Sequence, residues 1–252
     1  MILATGDCHG GFQRFSRKHF PQQRQMGRDD YVIILGDFGG VWDGSSEERK
    51  QLNWLNEKSF TTLFVTGNHE NYWMLRELPV EDWHGGKVQR VRPNILHLMR
   101  GQLYDIEGHT FFTMGGATSH DVEDGILDPN APDFRVRYSR LIFGGRRRFR
   151  IIGKSWWPEE LPSDEEYTAA LDTLERAGWK ADYVLTHCAP THRPADEPAL
   201  PAGCAHGFSG TGQQPAGVRL LAVRSLPRQP RDRSKAHPAV GTDCTADIAL
   251  DG

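Results

Sequence analysis

Met1-Ile2-Leu3-Ala4-Thr5-Gly6-Asp7-Cys8-His9-Gly10 opens the chain. Met1–Thr5 reads as a buried strand, Gly6 as its end, and Asp7 and His9 as a metal-capable pair just beyond it. The same arrangement returns twice. Tyr31–Leu35 runs into Gly36-Asp37-Phe38-Gly39-Gly40, and Thr62–Val65 runs, one residue on, into Gly67-Asn68-His69-Glu70. Ligands of open α/β sheets bind outside the carboxyl ends of the strands. Any one block has a plainer reading, because Asp and Asn close turns and cap strand ends. Three in order predict a cluster of polar side chains at one end of a sheet.

The residue types point to a chemistry. Asp7 and His9 alternate along a segment read as extended, so both can face one ion. Asp37 has two oxygens and can bridge two ions. Asn68 offers a neutral carbonyl oxygen. Carboxylate, imidazole and amide together suit Mn, Fe or Zn rather than a structural thiolate zinc. Two ions about 3.5–4 Å apart can hold a bridging hydroxide and clamp a phosphoryl group during in-line displacement. His69 directly follows a ligand, where a group that assists the leaving oxygen belongs.

In these blocks the chain resembles the calcineurin-like metallophosphoesterases, whose pattern is D-x-H, G-D, G-N-H-[ED], a lone His after a strand, then G-H-x-H. A fourth block fits the series: Tyr183-Val184-Leu185-Thr186-His187-Cys188-Ala189-Pro190. The resemblance implies that Asp7 and His9 bind a first divalent metal ion, that Asp37 bridges, that Asn68 and His187 bind a second, and that His69 is catalytic. It implies a metal-dependent hydrolase of phosphomonoesters or phosphodiesters, working through a two-metal-activated hydroxide. Its fold would be α/β, a sandwich of two mixed β-sheets flanked by helices. Gly115-Gly116-Ala117 through Ser155-Trp156-Trp157-Pro158-Glu159-Glu160 resembles a small bacterial and phage-type branch. Gly39-Gly40-Val41-Trp42 stands where many relatives have Asp-Arg, which argues against the Ser/Thr protein phosphatases. No Gly-His-x-His follows His187, so a second reading is an impaired or non-catalytic remnant of the fold.

Composition bounds the rest. The chain has 252 residues, formal net charge −3 and 38% hydrophobic residues, enough for one domain with a sizeable core. Near-balanced charge carries no nucleic-acid footprint, although Arg135 to Arg150 is locally basic; nucleic acid is the less expected partner, beside a phosphoester substrate. No apolar run reaches ~18–20 residues, so no membrane span is expected. No signal peptide is read, and Cys8, Cys188, Cys204 and Cys244 show no paired spacing, so a cytoplasmic location is expected. Nothing in the sequence sets the oligomeric state.

Ser45-Ser46-Glu47-Glu48 with Leu52, Leu55 and Phe60 predicts a capped amphipathic helix. Ile95–Met99, Gln102–Ile106 and His109–Met114 predict strands, with a tight turn at Glu107-Gly108. Pro162-Ser163-Asp164-Glu165-Glu166 opens a helix with Leu171 and Leu174 on one face. Residues 118–152 read as an aperiodic, charged insertion able to cover the site. His84, His97, His109 and His120 read as core or solvent histidines, and Trp156-Trp157 as a packing anchor.

After about Thr191 the character changes. Beyond it lie seven of the 15 prolines and, of the 25 aromatic residues, only Phe208. Such a stretch buries little apolar surface, so residues 1–190 are expected to form the domain and 191–252 an atypical, poorly ordered tail. The genetic code suggests a cause. Leu221 to Gln229 can be encoded so that the frame one nucleotide on reads Trp-Arg-Phe-Gly-His-Tyr-His-Asp-Asn, which holds the missing motif. A frameshift between about Pro190 and Leu221 is therefore expected.

Overall fold

The computed structural model describes residues 1–188 and the two short strands Arg219–Ala222 and Ile248–Ala249. The expected disorder of the tail lies outside the described residues.

Among the described residues thirteen strands follow one another: β1 (Ile2–Thr5), β2 (Tyr31–Leu35), β3 (Thr61–Val65), β4 (Val80–Trp83), β5 (Gly86–Arg92), β6 (Ile95–Leu98), β7 (Gln102–Ile106), β8 (His109–Thr113), β9 (Gly125–Leu127), β10 (Phe149–Ile151), β11 (Tyr183–Thr186), β12 (Arg219–Ala222) and β13 (Ile248–Ala249). The helices are α1 (Ser46–Asn56), α2 (Tyr72–Arg76), α3 (Phe134–Phe143) and α4 (Asp164–Arg176). A seven-stranded sheet has the order β13-β1-β2-β3-β6-β5-β4, and a four-stranded sheet the order β12-β11-β8-β7. Both are mixed. β1, β2, β3 and β6 run parallel while β4, β5 and β13 pair antiparallel. β11 runs parallel to β8 and β12, and β7 antiparallel to β8. β9 and β10 form a separate parallel pair.

The apolar runs explain the layering. β2 and β3 are buried along their whole length, as expected of parallel strands covered on both faces. Alternate residues face opposite cores. Ile33, Leu35, Leu63, Val65 and Leu96 meet Tyr104, Phe111 and Leu185 of the smaller sheet. Val32, Ile34, Phe64 and Ile95 face outward under Leu52 and Leu55 of α1, with Phe12 and Phe15. α4 covers the smaller sheet through Ala170 and Leu174 against Phe112 and Met114. The sandwich of two mixed sheets flanked by helices is thus as the resemblance implied.

The local signals hold in detail. Ser45 caps α1, its side chain accepting from the Glu48 N–H, and Ser163 and Glu166 form a capping box on α4. Glu107 and Gly108 both have positive φ, +53° and +78°, as a two-residue hairpin turn requires. Three readings need correction, and one element has no reading to correct. Leu171 is 46% exposed; Ala170 is the partner of Leu174 in the core. Phe60 is buried but lies beyond the end of α1. The insertion is not aperiodic in structure, for it carries α3, β9 and β10; α3 buries no residue, so it shows no apolar stripe. The β4–β5 hairpin, turning at His84-Gly85, went unread because β4 alternates only between exposed and half-buried residues.

Candidate metal centre

The three blocks and His187 meet where β1, β2, β3 and β11 end. Two groups of possible ligands form there and share Asp37: His9, Asp37 and His69, and Asp7, Asp37 and His187, with the ligand atoms of each group within 4.8 Å of one another. Asp37 divides its oxygens between them. Its Oδ2 lies 3.6 Å from His9 Nε2, and its Oδ1 lies 3.5 Å from His187 Nε2. Asp7 spans both groups, with Oδ2 3.6 Å from His9 Nε2 and Oδ1 3.8 Å from His187 Nδ1.

The backbone at this edge is forced. His9 and Asp37 have φ of +47° and +48°, sparsely populated values for residues with a Cβ that occur where surrounding structure imposes them. The segment Asp7 to His9 is therefore not extended. The N–H groups of Cys8 and His9 both donate to the Asp37 carbonyl, at 3.0 and 2.8 Å, and curl the chain. Glycine before the Asp37 and Asn68 blocks is a matter of space. A Cβ on Gly36 would stand 2.2 Å from His187 Nδ1, and one on Gly67 would stand 2.1 Å from Asp37 Oδ1. The ligand side chains pass over those two positions.

Each group has an orienting partner. His187 is fully buried, and its Nδ1 lies 2.8 Å from the Leu35 carbonyl. Donation through Nδ1 leaves Nε2 as the lone-pair atom toward Asp37, the tautomer a metal needs. The His69 N–H donates to Asp37 Oδ1 at 2.8 Å. Arg14 donates to the Asp7 carbonyl at 2.6 Å. Glu70 is fully buried and accepts from the N–H groups of Phe38 and Gly39, pinning the loop that carries Asp37. Burial, then the charge of Asp37, pushes the Glu70 pKa well up. Burial likewise raises Asp7, but His9 and His187 outweigh it and hold this carboxyl below its ordinary value. Burial draws the His69 pKa down against the pull of Asp37, favouring the neutral ring. The ring packs edge-on to His9, centroids 4.8 Å apart, and stacks with Trp42 at 6.5 Å.

Asn68 shows what the sequence reading missed. Its Nδ2 donates to Ser119 Oγ at 3.5 Å; Ser119 in turn donates through Oγ and N–H to the buried Glu160 carboxylate, at 2.8 and 3.0 Å. The chain Glu160–Ser119–Asn68 turns the amide oxygen of Asn68 inward. Burial, partly offset by the Ser119 bonds, raises the Glu160 pKa to about 7. Arg100 holds the Glu160 segment, donating to the Glu159 and Glu160 carbonyls, to Tyr72 Oη and to Glu166. Nothing local announces these contacts, because Ser119 and Glu160 lie 41 residues apart. Glu70 is different: it stands inside the third block. His84, His97 and His120 behave as solvent or core groups. His120 and His84 are exposed, and His97 is buried against Gln89 Oε1 and Phe64. Trp157 is a fully buried anchor. Arg146 and Arg148 are spent on surface ion pairs with Asp124 and Glu123.

The donor set fits divalent ions. Four polar atoms here are buried without any hydrogen-bond partner: Asp7 Oδ1, Asp37 Oδ2, Asn68 Oδ1 and His187 Nε2. Buried polar atoms are ordinarily satisfied, and these four belong to residues that the sequence singled out as ligands. A cleft of about 460 Å³ opens beside them, lined by His9, Trp42, His69 and the start of α1. A family model described as calcineurin-like phosphoesterase matches residues 1–212, running past Pro190. No curated protein matches the chain, and no solved structure does. Among the described residues no helix is long and apolar enough to cross a membrane.

Proposed function

Because the chain belongs to the calcineurin-like phosphoesterase family, we propose that it hydrolyses phosphomonoesters or phosphodiesters with two divalent ions, Mn, Fe or Zn, at the shared-Asp37 centre. Asp7, His9, Asp37, Asn68 and His187 hold the ions, and His69 is catalytic. Residues 1–190 form the domain and 191–252 a tail. A buried thiol at Cys8 suits a reducing, cytoplasmic setting. The observation that carries the reading is the set of four orphaned donor atoms around Asp37.

Bound divalent ions supply Lewis acidity toward water and the phosphoryl oxygens. The residues do the rest. Asp37 and Asp7 bring anionic oxygens to both groups of ligands. The Leu35 carbonyl sets the His187 tautomer, and Ser119 sets the Asn68 amide. His69, at the cleft wall, offers a ring N–H to the leaving oxygen. The test is turnover of p-nitrophenyl phosphate and its bis-ester with added Mn, alongside metal analysis. Hydrolysis that needs the metal and disappears in Asp37→Asn supports the reading; a purified chain that takes up no divalent ion overturns it.

A second reading concerns the rate. The missing Gly-His-x-His would leave each ion one imidazole short, and this chain would turn over slowly or not at all. A displaced reading frame is the proposed cause. β12 runs parallel to β11 with Ala222 paired to Thr186, so its carboxyl end points toward the side of the sheet where His187 stands. In the shifted frame, Gly-His-Tyr-His replaces Arg224 to Pro227, just past that end. Sequencing the gene across codons 190–245, then assaying the chain beside a frame-restored version, decides this. Equal turnover by the two would refute it.

A further inference from the structure

At the C-terminal end of α1, whose first turns line the cleft beside the metal centre, a second cleft of about 760 Å³ opens. Arg17, Arg24, Arg28 and Lys58 line it, with Trp54 and a single carboxylate, Glu57. Among the described residues none of the four cations is in ion-pair contact with a carboxylate. Acidic residues outnumber basic ones, 33 to 30, and cations elsewhere do find partners, as in Lys87–Asp82 and Arg90–Glu81.

Two of the four are already held in place. The Lys58 ammonium sits 3.2 Å from the centre of the Trp54 ring, and Arg28 is tied through one nitrogen to the Asn56 and Phe60 carbonyls at the end of α1. Arg17 and Arg24 keep all their donors free. Cations crowd here, since burial and then the charge of Arg17 draw the Lys58 pKa down. Like charges gathered in a concavity focus a field that favours multivalent anions.

We propose that this cleft binds a compact polyanion of the oligophosphate class, at a site separate from the metal centre. Four cations against one carboxylate call for several negative charges in a small volume. Free guanidinium forks match phosphate oxygens in pairs. A nucleic-acid strand would need a basic stripe along the surface, whereas α1 carries Glu47 and Glu48 at its other end.

The experiment titrates sodium tripolyphosphate into the full-length chain at low salt, by calorimetry and tryptophan fluorescence. Inorganic phosphate and a single-stranded DNA oligonucleotide are titrated in parallel. One saturable site is expected, weaker for inorganic phosphate. A unit charge about 4 Å away in water changes affinity about fivefold, so Arg17→Gln/Arg24→Gln should weaken binding at least about tenfold. Arg146→Gln/Arg147→Gln, on the exposed insertion, should leave it unchanged, and so should Asp37→Asn. Thermal melting checks that each variant folds. The proposal fails if tripolyphosphate shows no saturable binding, or if both arginine pairs weaken it equally. It fails if Asp37→Asn abolishes binding, which would put the anion at the metal centre, or if only the oligonucleotide binds.

Discussion

Two regions meet at the metal centre and are built differently. The strand-end loops of the large sheet carry the donor atoms on a backbone with no slack: positive φ at His9 and Asp37, and glycines at 36 and 67 because side chains cross over them. The 115–119 segment and Glu160 carry no ion ligand. They reach Asn68 through hydrogen bonds, from Glu160 to Ser119 to Asn68, beside a backbone bond from the Gly116 N–H to the Thr66 carbonyl. Backbone-determined positions tolerate no substitution of shape, while hydrogen-bonded supports lose only the value of one contact when removed. Mutations should therefore separate into two sizes of effect.

Asp37→Asn should do the most harm, removing an anionic oxygen from both ligand groups at once. Metal analysis is expected to show both ions depleted and hydrolysis abolished; retention of both ions would break the bridging role. His69→Ala should be next, lowering kcat by about 10²–10⁴-fold, the usual worth of acid–base assistance, with metal content unchanged. If its metal content drops as far as in Asp37→Asn, then His69 serves as a ligand in the group it shares with His9 and Asp37, and its assigned role is wrong.

Ser119→Ala probes the supporting region. Loss of a partner that orients a ligand costs about 10–100-fold in metal affinity, and competition with a chelating dye should report a loss of that size. A loss as complete as that of Asp37→Asn would erase the contrast between the two regions. Glu160→Gln should have the smallest effect on activity, because the amide can still accept from the Ser119 N–H. Its signature is in stability. The folded chain keeps the Glu160 proton up to about pH 7, whereas the unfolded chain releases it near the ordinary value of 4.5. The folded state thus binds the extra proton between these values, and stability falls as pH rises through that window, by up to about 1.4 kcal/mol per pH unit. Denaturant titrations of metal-free protein at pH 5 and pH 7 should show this decline in the parent chain and a flatter profile in Glu160→Gln.

Much of this was legible before any fold was known, and the reason is local. A strand buried on both faces, such as Tyr31–Leu35, is a contiguous apolar run, and the ligand block follows it in the chain. Capping signals at Ser45 and Ser163 are equally local. Elements with little buried surface were not legible: α3 buries nothing, and β4 is half exposed. The extended reading of Asp7 to His9 failed because the bend depends on a carbonyl 29 residues away, that of Asp37.

The sequence by itself determined the α/β class, the strand ends that bear the chemistry and the residues able to hold ions, since each is written in consecutive side chains. Only the tertiary structure decided how they work together. It aimed His187 Nε2 at Asp37, placed Ser119 and Glu160 behind Asn68, and brought Arg17, Arg24 and Lys58 around one cleft. Those arrangements depend on distances between segments far apart in the chain, and no local pattern of residues encodes such a distance; packing of two sheets and their helices does.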